Sequence, residues 1–266
     1  MAEATPILQA DQVSLRFGGV RALTDVSLAV HRGEIFSIIG PNGAGKTSFV
    51  NCVSGRYTPT AGRILFEGED ITRQRTNRRA AIGIGRTFQN LALFSHMTVL
   101  DNIMVGRHHL LKKSFLAGMA YWGSGAEAEE LAHRAEVERI IDFLEIQHVR
   151  KAIAGQLPYG LRKRVELARA MALKPRLILL DEPMAGMNLE EKEDMARYIL
   201  DLNEEWDMTV LMIEHDLGVV MDISHRVAVL DFGRKIAEGE PAVVLANDHV
   251  RRAYLGEADE APEPAA

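Results

Sequence analysis

Hydrophobic positions follow two different patterns along the chain. Short apolar runs occur at 35–39 and 177–180, and the second, which is unbroken, is typical of a central parallel strand. Between these runs, hydrophobic residues recur at three- and four-residue spacing in 99–106, 131–146 and 161–173, which predicts helices. This order predicts an α/β fold, in which a core with a parallel sheet is interrupted by a helical insertion.

Further elements complete this prediction. The segments 7–17 and 23–30 alternate loosely and are expected to form a small antiparallel element before the run at 35–39. Apolar patterning also predicts strands at 63–66, 82–89 and 208–213, a helix at 190–206, and a hairpin made of 226–230 and 235–237.

Four arginines lie close together after the strand predicted at 63–66, namely Arg73, Arg75, Arg78 and Arg79. A local run of one charge most often forms a solvated face. We therefore expect this cluster to face solvent rather than to contact phosphate or acidic lipid.

A glycine-rich segment follows the run at 35–39 and consists of Gly40, Pro41, Asn42, Gly43, Ala44, Gly45, Lys46, Thr47 and Ser48. Such a loop between a strand and a helix is typical of phosphate sites, because its backbone N–H groups turn inward and the helix dipole points at the anion. Lys46 is then positioned for the β- and γ-phosphates, and the Thr47 hydroxyl for Mg²⁺. The pattern predicts a nucleotide site without deciding the class of NTPase.

Polar residues end three other predicted strands, at the edge where an open α/β sheet binds its ligands. Asp181 is suited to hold Mg²⁺, and Glu182 beside it can act as general base on an attacking water. Gln89 could orient that water or reach the metal, and His215 could donate to the γ-phosphate. A lone glutamine or histidine at a strand end is also commonly just a hydrogen-bonded polar residue. Together with the phosphate loop, these residues predict ATP hydrolysis.

Phe17 precedes a Gly-Gly corner upstream of the phosphate loop. Its ring could stack on a nucleotide base or pack in the core. Its spacing alone favours neither.

Composition narrows the possible function classes. The chain has 266 residues and a formal net charge of −6, so general electrostatic binding of nucleic acid is not expected. The single cysteine, Cys52, is expected to be buried and structural. The sequence contains no signal-peptide pattern and no apolar run of membrane-spanning length, so we expect a cytoplasmic protein.

Several motifs, taken in order, resemble those of the ATP-binding-cassette (ABC) ATPases. They are the phosphate loop, Arg86-Thr87-Phe88-Gln89, Leu157-Pro158-Tyr159-Gly160-Leu161, Leu180-Asp181-Glu182-Pro183 and Glu214-His215-Asp216. The resemblance implies a P-loop NTPase core with a parallel sheet, an N-terminal antiparallel β element and an inserted α-helical subdomain. It implies one ABC ATPase domain at 1–256, with the helical subdomain inserted at about 93–174. The acidic, proline-rich residues 257–266 are predicted to be a disordered tail.

The resemblance also implies roles for individual residues. ATP and Mg²⁺ would be the ligands, with Gln89 in the loop that joins the core to the helical subdomain and His215 as the switch histidine. Phe17 would lie beneath the adenine. Residues 185–188 would contact another subunit, with Asn188 where aspartate is more usual.

The signature of the ABC family, Leu-Ser-Gly-Gly-Gln, is altered in this chain. Pro158 replaces the serine and lacks a hydroxyl for the γ-phosphate, Tyr159 replaces the first glycine, and Leu161 replaces the glutamine. Gly160 remains, at the start of the predicted helix. These three replacements affect how strongly the signature of this chain can bind the nucleotide held by a partner subunit.

Five segments are similar to one subgroup, the importer ATPases for branched-chain amino acids and related hydrophobic or aromatic carboxylates. They are 85–90, 97–102, the Pro-Tyr-Gly signature at 158–160, 213–216 and 253–257, and the last of them together with 108–125 resembles the larger of that system's two ATPases. The resemblance implies a second ABC ATPase subunit, with a heterodimer favoured over a homodimer. It also implies two integral membrane permease subunits, an external solute-binding protein, and a position at the inner face of the cell membrane. Urea or an aromatic acid is the alternative solute.

Two other classes fit less well. A soluble ABC ATPase for DNA repair would need a long coiled-coil insertion and one for translation usually two cassettes, and the sequence has neither. A metabolic P-loop kinase would leave Glu182 and the Leu-Pro-Tyr-Gly segment without a role. The apolar residues and lysines of 110–122 are interpreted either as an interaction surface or as packing within the helical insertion.

Overall fold

The computed structural model describes residues 5–88, 91–110 and 126–255. The chain forms two compact units. Unit 1 combines Met1–Arg75 with Thr209–Ala266, and unit 2 is Thr76–Met208.

The strands are β1 Leu8–Phe17, β2 Val20–Val30, β3 Ile35–Ile39, β4 Ala61–Phe66, β5 Glu69–Asp70, β6 Ile84–Arg86, β7 Leu177–Asp181, β8 Thr209–Ile213, β9 Arg226–Asp231 and β10 Arg234–Gly239. The helices are α1 Lys46–Val53, α2 Thr76–Ala81, α3 Val99–Gly106, α4 Ala126–Phe143, α5 Tyr159–Ala172, α6 Leu189–Glu204, α7 Leu217–Ile223, α8 Pro241–Leu245 and α9 Asp248–Leu255. Short 3₁₀ turns lie at His108–Leu110, Gln147–Val149 and Ala154–Gln156.

Unit 1 contains the predicted antiparallel element. Its four strands pair in the order β2-β1-β4-β5. Leu8 pairs with Val30 on one side and with Phe66 on the other, and all three side chains are buried. Alternating burial along β1 explains the loose apolar alternation seen in the sequence.

Unit 1 also contains the parallel strands around the glycine-rich loop. Strand β3 pairs in parallel with β8 and with β9, and β10 pairs antiparallel with β9. Every residue of β3 and of β8 is buried, which is why both strands are mainly apolar in sequence. Helix α1 follows the loop, and Cys52 on it is buried as predicted.

Unit 2 contains the inserted helices and a pair of parallel strands, β6 and β7. Helices α3 and α4 pack against α5. Thr98 caps the N-terminus of helix α3, and its side chain accepts a hydrogen bond from the Asp101 N–H. The α/β class and the helical insertion are thus confirmed.

Two predictions about the region before β6 are wrong. Of the described residues in the strand predicted at 82–89, those that form a strand are β6, because α2 occupies the preceding residues and Gly83 adopts φ 99°, which an extended strand does not allow. The four-arginine cluster is not one solvated face, since Arg79 on α2 is 1% exposed.

Two helix boundaries also differ from the sequence prediction. Helix α4 begins and ends earlier than the predicted 131–146, and Glu145 after it has φ 57°, a left-handed conformation that ends a helix. Helix α5 begins at Tyr159 rather than at Leu161, directly after Pro158. Within the ranges that the structure describes, no helix is long and apolar enough to cross a membrane.

Candidate functional site

The glycine-rich loop connects β3 to α1 and its shape depends on glycine. Gly40, Gly43 and Gly45 have φ of 150°, 83° and 101°. A Cβ at Gly40 would lie 2.1 Å from the Leu230 carbonyl oxygen, and one at Gly45 would lie 2.6 Å from the Ala22 carbonyl oxygen. Gly43 has no such neighbour, so only its φ requires glycine.

Lys46 lies at the first position of α1 and its side chain turns back over the loop. Its Nζ donates to the carbonyl oxygens of Gly40 at 2.7 Å and Pro41 at 3.1 Å. The side chain is buried, and Thr47 and Ser48 beside it are half-buried. A cation next to the backbone N–H groups of a helix N-terminus is suited to an anionic ligand.

A cavity of about 550 Å³ opens along the outer part of this loop within unit 1. Its size falls in the range of small-molecule sites. The residues that line it are Pro41, Asn42, Gly43, Ala44, Asp231, Phe232, His249 and Arg252.

Phe17 ends β1 and is 47% exposed. Its ring contacts Tyr57 edge-on, with centroids 5.0 Å apart and planes at 75°. The alternative that Phe17 is a core residue is therefore wrong, and about half of the residue is accessible to a ligand.

His215 follows β8 and its side chain is 58% exposed. The adjacent Glu214 is 1% exposed, and its Oε2 accepts the His215 N–H at 3.1 Å. The same oxygen lies 3.8 Å from the imidazole Nδ1. The strand end thus holds the His215 backbone while leaving its ring open to solvent.

Asp181 is the last residue of β7 in unit 2 and its carboxylate is buried. Its Oδ2 lies 3.0 Å from Nη2 of Arg86 on β6, which is also nearly buried. Burial raises the pKa of Asp181, and the positive charge of Arg86 acts in the opposite direction. Among the described residues, Oδ1 of Asp181 has no hydrogen-bond partner. A buried carboxylate oxygen without a partner is costly, and a cation or its bound water would satisfy it.

Glu182 follows Asp181 and adopts a left-handed backbone conformation, with φ 51°. This conformation is uncommon for a residue other than glycine and is often found at functional sites. The Glu182 carbonyl oxygen accepts a hydrogen bond from Nζ of Lys163 on α5 at 3.2 Å. The side chain is half-buried.

The altered signature forms the start of α5. A Cβ at Gly160 would lie 2.2 Å from Oε1 of Glu191 on α6. Glu191 and Asn188 form a capping box, in which the Asn188 side chain accepts from the Glu191 N–H at 2.9 Å and Glu191 Oε2 accepts from the Asn188 N–H. Asparagine caps a helix as well as aspartate does, so the exchange at 188 keeps this function.

Gln89 lies outside the described residues, as does the segment from 111 to 125. The sequence alone does not assign roles to three charged residues of unit 2: Arg86, which contacts Asp181, Lys163, which contacts Glu182, and Glu166, which contacts Phe88 and Ala92. Arg86 gave a signal, because it is a charge within the apolar run at 82–88. Nothing in the helical pattern of α5 distinguished Lys163 and Glu166 from solvated residues.

Comparison with known proteins decides the family. The profile of the family described as ABC transporter matches residues 23–185, which is more than half of the chain. The chain belongs to the ABC transporter family. ATP binding and ATP hydrolysis are the activities of this ATP-binding domain, and the predicted enzyme class is confirmed.

The cassette is similar to named relatives over nearly its whole length. It is 42% identical over 258 residues to the high-affinity branched-chain amino acid transport ATP-binding protein BraF of Pseudomonas aeruginosa, covering 95% of this chain and 99% of BraF. It is 38% identical over 257 residues to LivG of Escherichia coli, a protein of the same description, covering 95% of this chain and 99% of LivG. A second profile, described as branched-chain amino acid ATP-binding cassette transporter, matches residues 234–260.

The cassette fold agrees with a solved relative. The ADP conformation of an ATP-binding cassette from an ABC transporter has a TM-score of 0.82 and 34% identity, and the match covers 95% of this chain and 100% of that one. The predicted P-loop NTPase fold is therefore confirmed.

Proposed function

We propose that this cassette is the ATP-hydrolysing subunit of an importer for branched-chain amino acids. The observation that carries the proposal is its 42% identity to BraF over 95% of the chain, supported by the separate match at 234–260. Both point to the same subgroup, one through nearly the whole chain and the other through its C-terminal part.

Within unit 1, the proposal assigns nucleotide binding to the glycine-rich loop. The N–H groups of 40–48 and the Lys46 ammonium bind the phosphates, for which Lys46 exchanges its present carbonyl partners. Phe17, which is about half exposed, stacks on the adenine. His215 donates from its exposed ring to the γ-phosphate.

Within unit 2, the proposal assigns hydrolysis to the end of β7. Glu182 acts as the general base that accepts a proton from the attacking water, and Gln89 orients that water. Asp181 fits a metal ion, because its buried Oδ1 has no partner among the described residues and its Oδ2 is already held by Arg86. Asp181, Thr47 and Gln89 would hold Mg²⁺, which supplies positive charge to the phosphates when bound.

The proposal includes partners. A second ABC ATPase subunit completes the site through its own signature, with Gly160 and the N-terminus of α5 serving the partner's nucleotide in return. Two permease subunits hold the pair at the inner face of the membrane, and an external solute-binding protein delivers the solute. Two solved relatives of the cassette are dimeric, at 25% and 24% identity, which supports pairing as a property of the fold.

Transport in reconstituted vesicles tests the proposal. The chain would be co-expressed with its neighbouring permease and cassette genes, purified as a complex and supplied with ATP on its own side of the membrane. We expect ATP-dependent uptake of leucine, isoleucine or valine, and none in a Glu182→Gln complex. Uptake of urea or an aromatic acid in place of these would replace the proposed solute. Failure to co-purify with integral membrane proteins would contradict the importer assignment itself.

The altered signature leads us to expect a heterodimer. Pro158 and Leu161 supply neither hydroxyl nor side-chain amide to a facing γ-phosphate, so a homodimer would lose about one charge-assisted hydrogen bond per site, roughly 1.5–3 kcal/mol. Steady-state ATPase of the chain alone should therefore be far below that of the mixture with its second cassette. Full cooperative activity from the isolated chain would contradict this expectation.

A further inference from the structure

One face of α5 carries two buried charged side chains that the proposed mechanism does not use. Lys163 is 4% exposed and Glu166 is 1% exposed. They are three residues apart, so they lie on the same side of the helix. Burying a charge is costly unless the group is paired or hydrogen-bonded, so their partners indicate what they do.

Lys163 contacts the residue that carries the proposed base. Its Nζ donates to the Glu182 carbonyl oxygen at 3.2 Å. The peptide that receives this hydrogen bond belongs to the left-handed Glu182, whose conformation must be maintained by its surroundings. A charge-assisted bond to the carbonyl fixes this peptide and with it the direction of the Glu182 side chain.

Glu166 holds the backbone on both sides of position 89. Its Oε1 accepts the Phe88 N–H at 3.1 Å and the Ala92 N–H at 3.4 Å. Arg169, one helical turn further along α5, donates to the Ala92 carbonyl oxygen. The carboxylate and the guanidinium thus bind the two ends of the short segment that includes Gln89.

The same face of α5 begins at the signature. The Tyr159 ring lies 5.8 Å from Lys163 Nζ, and a Cβ at Gly186 would be 3.2 Å from the Tyr159 Cε1. Along one side, α5 therefore contacts residue 186 through Tyr159, Glu182 through Lys163, and the backbone around 89 through Glu166.

We propose that Lys163 and Glu166 are positioning residues for ATP hydrolysis, which hold from the signature helix the Glu182 peptide and the backbone N–H groups of Phe88 and Ala92. The inference rests on the roles proposed above for Glu182 and Gln89. In this proposal neither Lys163 nor Glu166 acts on the nucleotide directly. They act by holding backbone groups in place before the reaction, so their loss lowers kcat and leaves ATP binding intact.

The first experiment separates kcat from ATP affinity in the full complex. Lys163→Met keeps the apolar stem and removes the ammonium, and Glu166→Leu removes the acceptor. Each should lower kcat about tenfold or more, with ATP affinity within about twofold of wild type. Glu166→Gln keeps an acceptor oxygen and should recover most of the lost kcat.

A matched variant controls for loss of stability. Val165 lies beside these residues on α5 and is fully buried without their polar contacts, so Val165→Ala weakens the same helix. At an equal decrease in melting temperature, Val165→Ala should retain kcat. An equal loss of kcat in Val165→Ala would overturn the inference in favour of a purely structural role.

Double variants test the route of action. Lys163→Met should cause no further loss of single-turnover rate in a Glu182→Gln background, and Glu166→Leu should cause none in a Gln89→Ala background. Losses that multiply would overturn the positioning roles. Near-normal hydrolysis in Glu182→Gln would contradict the proposed role of Glu182 as base. If Glu182→Gln loses hydrolysis strongly but Lys163→Met keeps a normal kcat, only the positioning role of Lys163 is overturned.

Discussion

The phosphate loop of unit 1 and the carboxylate segment of unit 2 obtain their shapes in different ways. The loop is shaped by its own backbone, through three glycines with positive φ and a lysine bound by loop carbonyls. The carboxylate segment is held by charged side chains from other elements, Arg86 at Asp181 and Lys163 at Glu182. Under the proposed roles, binding therefore depends on local backbone geometry, whereas hydrolysis depends on contacts between residues far apart in the sequence.

The largest expected effect is that a substitution in one region lowers hydrolysis and a substitution in the other weakens ATP binding. Glu182→Gln should lower single-turnover hydrolysis by about 10²–10⁴-fold, as for loss of a general base, while ATP binding is kept. Lys46→Ala should weaken ATP binding itself, because it removes a positive charge from the phosphates. Nucleotide binding and single-turnover rates, measured on both variants, check this. Near-normal hydrolysis in Glu182→Gln would contradict the division.

The second expected effect removes the charge that holds Asp181. Arg86→Met leaves a buried carboxylate without its ion-pair partner and should cost about 3 kcal/mol of the free energy of unfolding. Burial already raises the pKa of Asp181, and Arg86 opposes that rise. The pKa of Asp181 should therefore be higher still in the Arg86→Met variant. The ionised form is then the unfavourable one in the folded state, so stability should fall as the pH rises above the unfolded-state pKa of an aspartate, about 4.

Denaturant titrations at several pH values measure this effect. Asp181→Asn in the Arg86→Met background removes the ionisable group and should abolish the added pH dependence. A pH-independent loss in the single variant would show that Arg86 acts by packing alone.

The third expected effect tests whether the conformation of the phosphate loop requires glycine. Gly45→Ala places a methyl group 2.6 Å from the Ala22 carbonyl oxygen at φ 101°, so strain and a clash add, and we expect a loss of about 2–3 kcal/mol. Gly43→Ala, with φ 83° and no neighbour within 4 Å, is the matched control and should lose only about 1 kcal/mol. Equal melting temperatures for the two variants would contradict the steric argument.

The smallest expected effect concerns Phe17. Phe17→Ala should cost about 0.5–1.5 kcal/mol of ATP affinity, and Phe17→Tyr should be nearly silent. Because the ring is about half exposed, the melting temperature should change little. A lower melting temperature with unchanged affinity would show that the contact with Tyr57 is the main role of the ring.

The two regions also differ in how far the sequence predicts them. The phosphate loop could be predicted because its glycines and Lys46 are consecutive and their geometry is local. The ends of β7 and β8 could be located because a polar residue follows an unbroken apolar run. Arg86 and Glu166 were not assigned roles, since their partners lie 95 and 78 residues away in the sequence. Arg79 was misjudged for a related reason, because its burial depends on packing rather than on its charged neighbours.

Gly160 illustrates a further consequence of the contact between α5 and α6. The space a side chain would need at this position is taken by Glu191, which caps α6. Any substitution there would displace the capping carboxylate and loosen the first turn of α6 before a nucleotide was involved. Gly160, the one glycine retained from the signature, is thus needed for the contact between α5 and α6 whether or not ATP is bound. Loss of ATPase in Gly160 variants should be judged against their melting temperature, because a misfolded cap and a missing nucleotide contact would reduce turnover alike.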